Sequence, residues 1–461
     1  MKFKGIEFET KNIPVLDKTF VPMHLFNKAF LKDAKKPISI AVERNAGLTA
    51  VYDTFIHGTS EYLEADKFYI ERMVKLLLWA KGGYKVTICG DETIADYIKE
   101  TYSATGKRNF DFDFMSKVYE MPFEVFSCDY DKRPKEFEKA KPLGRHLDGC
   151  RIGFDAGGSD RKVSAVIDGE PVFSEEVEWF PKITADPTYH FNGIVDAMKT
   201  AASHMPRVDA IGVSSAGIYI DNRAMVASLF LKVPEDQIIE KFKDIYLNAA
   251  REIGENIPIE VANDGDVTAL AGAMSLNDNN ILGIAMGTSE AVGYVDCDGN
   301  VTGWLNELAF APVDGQDDAM EDEWSHDIGC GVKYFSQDGV IKLAPRAGIE
   351  LDEKLSPADK LKVVQKCMEA NDNRATDIYT SIGVYLGHTA AYYTTIYDIK
   401  HILLLGRVTS GEGGNIIIDT AKRVLNEDYP EVASKINLQL PDEKSRRVGQ
   451  SVAAASLPEI L

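Results

Sequence analysis

No stretch of this 461-residue chain approaches the about 18–20 uninterrupted apolar residues of a membrane-spanning helix, so no membrane partner is expected. Cysteine is scarce and scattered. Cys89, Cys128, Cys150, Cys297, Cys330 and Cys367 include no CxxC pair, which leaves no close spacing for a metal cluster. The opening Met1-Lys2-Phe3-Lys4-Gly5-Ile6-Glu7 lacks the apolar core of a leader. Free thiols in a cytoplasmic protein are therefore expected. Basic residues are outnumbered, 51 Lys and Arg against 72 Asp and Glu, for a formal net charge of −21. Binding a phosphate backbone needs cationic surface, so a nucleic-acid partner is not expected. The acidic excess otherwise describes a well-solvated surface. What the chain does have is 45% hydrophobic and 27% charged residues, the balance of a globular protein. Its length predicts two or three domains.

Hydrophobic spacing predicts an α/β class throughout. In residues 1–145, strands at 38–42 and 48–56 flank the turn signal Asn45-Ala46-Gly47. A helix over 64–81 stops at Gly82-Gly83, and a strand at 84–89 leads into a helix over 91–102. The polar, proline-containing stretch 129–145 reads as a linker or connecting helix. Beyond it, three strands in a meander (151–155, 162–167, 171–177) precede helix 191–204, strand 210–214, helix 235–253 and strand 259–262. Helix 268–275, strand 281–286, a hairpin around 296–300, helices 357–370 and 375–397, strand 402–405 and helix 415–426 complete the pattern.

Four turns carry chemistry. Asp155-Ala156-Gly157-Gly158-Ser159 ends one strand and starts another. Glycines let backbone N–H groups form an anion nest, and an acidic residue at a strand end can hold Mg²⁺ through water. The same residues also suit a plain hairpin with a solvated aspartate. Asn263-Asp264-Gly265-Asp266 follows a strand and opens a helix. There a carboxylate can take the proton of an attacking hydroxyl, and the pair equally suits a helix N-cap. Gly287-Thr288-Ser289 ends a third strand and offers a second phosphate contact. Gly406, followed by Gly411, Gly413 and Gly414, ends a fourth and suits an adenosine loop.

The order of these turns, with steps of about 110, 23 and 120 residues, is that of the sugar-kinase, heat-shock-ATPase and actin superfamily. Within it residues ~150–461 resemble the ROK sugar kinases. That family reads Asp-x-Gly-Gly-Thr, Gly-x-x-x-Pro-Gly, Glu-Asn-Asp-Ala and Gly-Thr-Gly. The corresponding stretches here are 155–159, 212–217, 262–265 and 287–289. The resemblance implies an actin-like, ribonuclease H-like ATPase fold of two lobes with an interlobe cleft, the lobes at 150–262 and 263–461, with a C-terminal helix returning to the first. It implies an ATP-dependent kinase acting on a sugar-like hydroxyl, with Mg²⁺ as cofactor and a homodimer as the assembly. Asp264 would be the catalytic base, Asn263 and Glu307 substrate ligands, and Asp155 the magnesium residue. Gly157, Gly158, Ser159, Gly287, Thr288 and Ser289 would hold phosphates and Gly406 the adenosine.

Four departures from the family stand out. Its Glu-x-Gly-His motif corresponds to Glu307-Leu308-Ala309-Phe310, where phenylalanine replaces a histidine that also binds zinc. The loop around His326 and Cys330 is too poor in ligands for a tetrahedral site, so no structural zinc is expected. Glu290 follows the second phosphate turn, where an acid repels phosphates unless it faces away, and Arg407 replaces a glycine. These changes leave a non-catalytic sugar or nucleotide sensor as the alternative function. A partner-activating ATPase is disfavoured by the scattered cysteines. Residues 1–145 show no helix-turn-helix and read as an accessory α/β module that packs on the first lobe or makes a dimer interface.

Overall fold

Every residue except 141, 227, 235–236, 238–241, 442–448 and 461 is described in the computed structural model. The chain forms two units by its contacts. One comprises residues 1–139, 284–292 and 304–440, and the other 140–283, 293–303 and 441–461.

The first unit contains a sheet in the order Thr49–Ile56, Lys36–Glu43, Lys85–Cys89, Glu124–Cys128. Its first two pairings are antiparallel and the last is parallel. The turn at 45–47 is left-handed at Ala46 and Gly47, which joins the hairpin as its sequence requires. Helix Leu63–Lys81 is buried along nearly its whole length. A helix hidden on all sides must either be apolar all round or neutralise its charges. Glu71, Lys75 and Trp79 recur every four residues and so share one face, where they do the second. Lys75 Nζ donates to both Asp111 oxygens at 3.1 and 3.0 Å and to Asp327 Oδ2. Arg108 pairs with Glu71 at 2.5 Å and with Asp327, while Trp79 Nε1 donates to Asp111 at 3.1 Å. Burial would raise the Glu71 carboxyl, but Arg108 and Arg72 overcome it and hold it at about 2.

The same helix ends on the segment after Trp304. The N–H groups of Leu305, Asn306 and Glu307 donate to the carbonyls of Lys81, Ala80 and Trp79 at 3.4, 3.0 and 2.9 Å. Those carbonyls are orphans of a helix C-terminus, and the loop satisfies them. Residues 1–139 therefore share their interior with residues 304–440. The sequence offers the first lobe or a dimer interface as the surface these residues cover, because an apolar helix face does not name its partner. A second sheet has the order Glu290–Val295, Ile281–Met286, His401–Leu405, Asn437–Gln439. Helices Asn373–Tyr393 and Glu412–Asp428 pack together in this unit.

The second unit is built on a five-stranded sheet in the order Ile259–Asn263, Ala210–Ser215, Cys150–Ala156, Asp160–Ile167, Glu170–Glu178. The first three strands are parallel and the last two antiparallel. Ile152, Phe154, Ile211, Val213, Ile194 and Met198 are among the residues of its core. Helix Gln450–Ala455 lies on the central strands. A Cβ on Gly153 would stand 1.6 Å from Ser451 O, and one on Gly212 would stand 1.7 Å from Ala454 O, so only glycine admits the helix.

Most expected elements form with shifted ends. Helix Asp264–Leu276 starts four residues earlier than its periodicity suggests, because Asn263 caps it. Within expected helix 235–253 the described helix is Ile245–Arg251, and 235–236 and 238–241 lie outside the described residues. Segment 129–145 holds only the 3-10 turn Tyr130–Lys132 and forms no α-helix among its described residues: Phe137 bridges Thr49 through two backbone hydrogen bonds, and prolines interrupt the stretch. Helices Met23–Leu31 and Asn109–Tyr119 and strand Glu124–Cys128 escaped the sequence reading.

Two outcomes follow for stability. Lys75→Met leaves Asp111 and Asp327 facing each other in the interior, and should cost about 3–5 kcal/mol in urea unfolding. Gly212→Ala forces helix 450–455 off the sheet, and should cost about 3 kcal/mol or more. An unchanged unfolding midpoint in either variant contradicts the corresponding argument.

Candidate functional site

In the second unit, three parallel strands end side by side and each delivers polar groups at its carboxyl end. This is where an α/β sheet presents side chains to a ligand. Asp155 closes strand Cys150–Ala156 and accepts a hydrogen bond from Ser214 Oγ on the adjacent strand at 2.9 Å. Burial pushes its carboxyl up to about 6 against the hydrogen bond from Ser214, and the negative charge of Asp264 adds to the rise. Ser215 Oγ receives the hydroxyls of Tyr219 and Tyr246, each at 2.7 Å. Asn263 and Asp264 close the third strand and open the helix.

Asn263 is held at both ends of its amide. Oδ1 accepts from Gly265 N at 2.7 Å as the N-cap, and Nδ2 donates to Gly217 O at 2.7 Å. It thereby fixes Asp264, a half-buried residue whose carboxyl is raised by burial and lowered by the Gly265 N–H and by Lys182. Gln450 Nε2 ties the two sides, donating to Ser214 Oγ and to Asp264 O at 3.0 Å each. The glycine turn beside Asp155 is supported by Trp179, whose Nε1 donates to Gly157 O at 2.7 Å. Ser159 Oγ donates to Asp160 at 3.1 Å. Lys182, which the sequence reading passed over, lies against Gly158. Its only sequence signal is a lysine in a loop after the meander.

A carboxyl raised to about 6 is one that a cation would stabilise in its ionised form. Among the described residues no group of three or more His, Cys, Asp or Glu side chains is placed to hold a metal. That donor set fits Mg²⁺, which takes one or two carboxylates and fills its shell with water and phosphate oxygens.

In the first unit, the turn Gly287-Thr288-Ser289 exposes its two hydroxyl residues, and Gln337 N donates to Gly287 O at 2.9 Å. Glu290, next in line, points the other way. It is 3% exposed, and burial together with Glu307 holds its carboxyl far above the usual range. The acid is thus buried and turned from the hydroxyl face. Glu307 is half-buried at the segment pinned to helix Leu63–Lys81. Phe310 packs 4.4 Å from the Trp79 ring and 5.4 Å from Trp324, with Phe110 at 5.9 Å. Phe310 thus sits in an aromatic cluster supplied partly by residues of the N-terminal stretch.

Gly406 follows strand His401–Leu405 with φ +91°, and a Cβ there would stand 2.4 Å from Met286 O. A few residues on, Gln365, Met368, Glu369, Tyr379, Ser410, Gly411 and Glu412 line a cavity of about 180 Å³. The buried Tyr379 hydroxyl makes no hydrogen bond to any described residue.

No family model matches the sequence, and no curated protein matches it. Solved structures do. The ROK hexokinase from Thermus thermophilus is 16% identical, with 67% of this chain covering 97% of that one at a TM-score of 0.50. A ROK family protein from Streptococcus pneumoniae in complex with sucrose is 11% identical, over 66% of this chain and 96% of that one, at 0.49. A ROK family glucokinase from Streptomyces griseus in complex with glucose and AMPPNP is 17% identical, over 67% and 98%, at 0.46. The chain has the actin-like ATPase fold of the ROK sugar kinases.

The Asp155 environment makes a prediction with a defined sign. Its folded-state value lies above the ordinary 3.8, so its stabilising protonation is complete at low pH and is lost as pH rises through about 6. Asp155→Asn should therefore be more stable than the parent at pH 7–8, by up to about 3 kcal/mol. The gap should close between pH 6 and 4. Urea midpoints measured across that range check it, and a pH-independent difference would sink it.

Proposed function

We propose that this chain transfers the terminal phosphoryl group of ATP to a hydroxyl of a sugar or sugar-like small molecule, as a member of the ROK kinases. The observation that carries the reading is the meeting of Asp155, Ser214 and the capped Asn263-Asp264 pair at the ends of three parallel strands. Asp264 accepts the acceptor hydroxyl's proton as its oxygen bonds to phosphorus. The phosphorus–oxygen bond to ADP breaks, and its electron pair leaves with ADP. In a loose transition state the proton leaves late, so the fixed position of Asp264 matters more than its basicity. Mg²⁺, held by Asp155 through water, would neutralise phosphate charge.

The N–H groups of Gly157 and Gly158 and the Ser159 hydroxyl offer phosphate contacts in the second unit. In the first unit, the Thr288 and Ser289 hydroxyls do the same on a turn closed by Gly287 N donating to Ser289 O at 3.0 Å, and Gly406 with the cavity beside Tyr379 suits the nucleoside. Asn263, with both ends of its amide engaged, acts by positioning Asp264 and retains one N–H for a substrate oxygen. Glu307 is the substrate ligand proposed from the first unit. The aromatic setting of Phe310 supports an acceptor site organised by packing.

ADP release measured over a panel of sugars, amino sugars and polyols tests the proposal. The parent should turn over at least one acceptor. Asp264→Asn should lower kcat by about 10³-fold or more while changing nucleotide affinity less than threefold. Normal turnover by this variant removes Asp264 as base. Sugar binding without turnover by the parent supports the sensor instead.

A further inference from the structure

The second unit holds a cation that the motif reading does not use. Lys182 sits in the loop after strand Glu170–Glu178, and that loop is anchored on the glycine turn. Trp179 N donates to Ser159 O at 3.1 Å, its Nε1 donates to Gly157 O at 2.7 Å, and the carbonyl of the buried Pro181 bonds the buried His190 ring at 3.0 Å. Thr184 Oγ1 closes the loop on Phe180 O at 2.6 Å. From this base Lys182 reaches back over the turn. A Cβ built on Gly158 would meet Lys182 Cε at 2.9 Å and Nζ at 3.0 Å. The ammonium also acts on the Asp264 carboxylate.

The two cations adjacent to the turn in sequence lie differently, and Arg161 keeps Nε and Nη1 buried with no hydrogen-bond partner among the described residues. Lys162 lies near Asp160 and Glu176 at 3.5 and 3.8 Å, and the Arg161 guanidinium lies against Gly193. Lys182 is exposed and makes no ion pair or hydrogen bond with any described residue. An unpaired ammonium above backbone N–H groups, within electrostatic reach of the base, is an arrangement that suits a phosphoryl group. It serves best where charge develops during transfer.

We propose that Lys182 is a catalytic residue, its ammonium contacting the transferred phosphoryl group between the Gly157-Gly158 turn and Asp264. The inference rests on the kinase reading above. Lys182 stays protonated throughout, while the hydroxyl proton goes to Asp264 and the electron pair of the broken bond leaves with ADP. Asp264 is faced by Asp155, two strands away across Ala210–Ser215, by the Tyr219 and Tyr246 hydroxyls, and by Lys182, with Asp160 and Lys162 acting on Asp155. Lys182 is the cation acting on Asp264, so its removal has a pH signature.

The test uses the full chain with Lys182→Met and Lys182→Arg. Calorimetry with AMPPNP and with ADP, each with Mg²⁺, reads binding independently of turnover. Lys182→Met should lose about tenfold or more in AMPPNP affinity, with ADP changed less than threefold. On an accepted substrate its kcat should fall about 100-fold or more, with partial recovery in Lys182→Arg. The acid limb of kcat/KM should move to higher pH, because Asp264 loses the charge that favours its ionised form. Parental AMPPNP affinity in Lys182→Met overturns the proposal, whether or not an acceptor is known. If the parent binds AMPPNP but phosphorylates no acceptor, the kinase reading fails and the two affinities still decide the Lys182 contact. A parent that binds neither nucleotide removes both.

Discussion

The buried charge of Lys75 is the constraint on which the first unit depends. An ammonium 1% exposed must be answered by carboxylates, and Asp111 and Asp327 come from segments more than 200 residues apart. Arg108 and Glu71 extend the pairing, so helices Leu63–Lys81 and Asn109–Tyr119 and the loop around Asp327 can settle in one arrangement only. Buried ion pairs add little net stability, since desolvation offsets their attraction. What they do here is connect. The same helix receives Leu305, Asn306 and Glu307 on its terminal carbonyls and Phe310 on Trp79. Residues 1–139 thereby hold in place the stretch that contains the proposed substrate ligand Glu307.

In the second unit the corresponding constraint is close approach. Helix Gln450–Ala455 reaches the sheet over Gly153 and Gly212, and this brings Gln450 onto Ser214 and the Asp264 carbonyl. One contact made possible by missing side chains thus braces both halves of the carboxylate pair. Asp155 and Asp264 remain close enough for each charge to cost the other.

Glycine turns and strand ends were legible because local rules govern them. A strand followed by Asp-Ala-Gly-Gly or Asn-Asp-Gly has few ways to continue, and the turns at 155–159, 263–265 and 287–289 all stand at strand ends. Glu290 was legible as a problem without its solution: strand alternation turns it inward, and only packing beside Gly331 shows it buried. Lys182 and the Glu71, Lys75, Trp79 face were not legible. The first depends on a loop folding back through Trp179, and the second on carboxylates from Asp111 and Asp327, far away in the chain.

The sequence by itself determined the alternation of strands and helices, the four turns and the candidate residues upon them, since hydrophobic period and glycine placement act over a few neighbouring residues. Tertiary structure alone decided which interior the N-terminal residues join, that Asn263 is tied down at both ends of its amide, and that Lys182 stands over the Gly157-Gly158 turn. Those outcomes depend on burial and charge pairing between residues distant in the chain, where no local pattern carries the partner's identity.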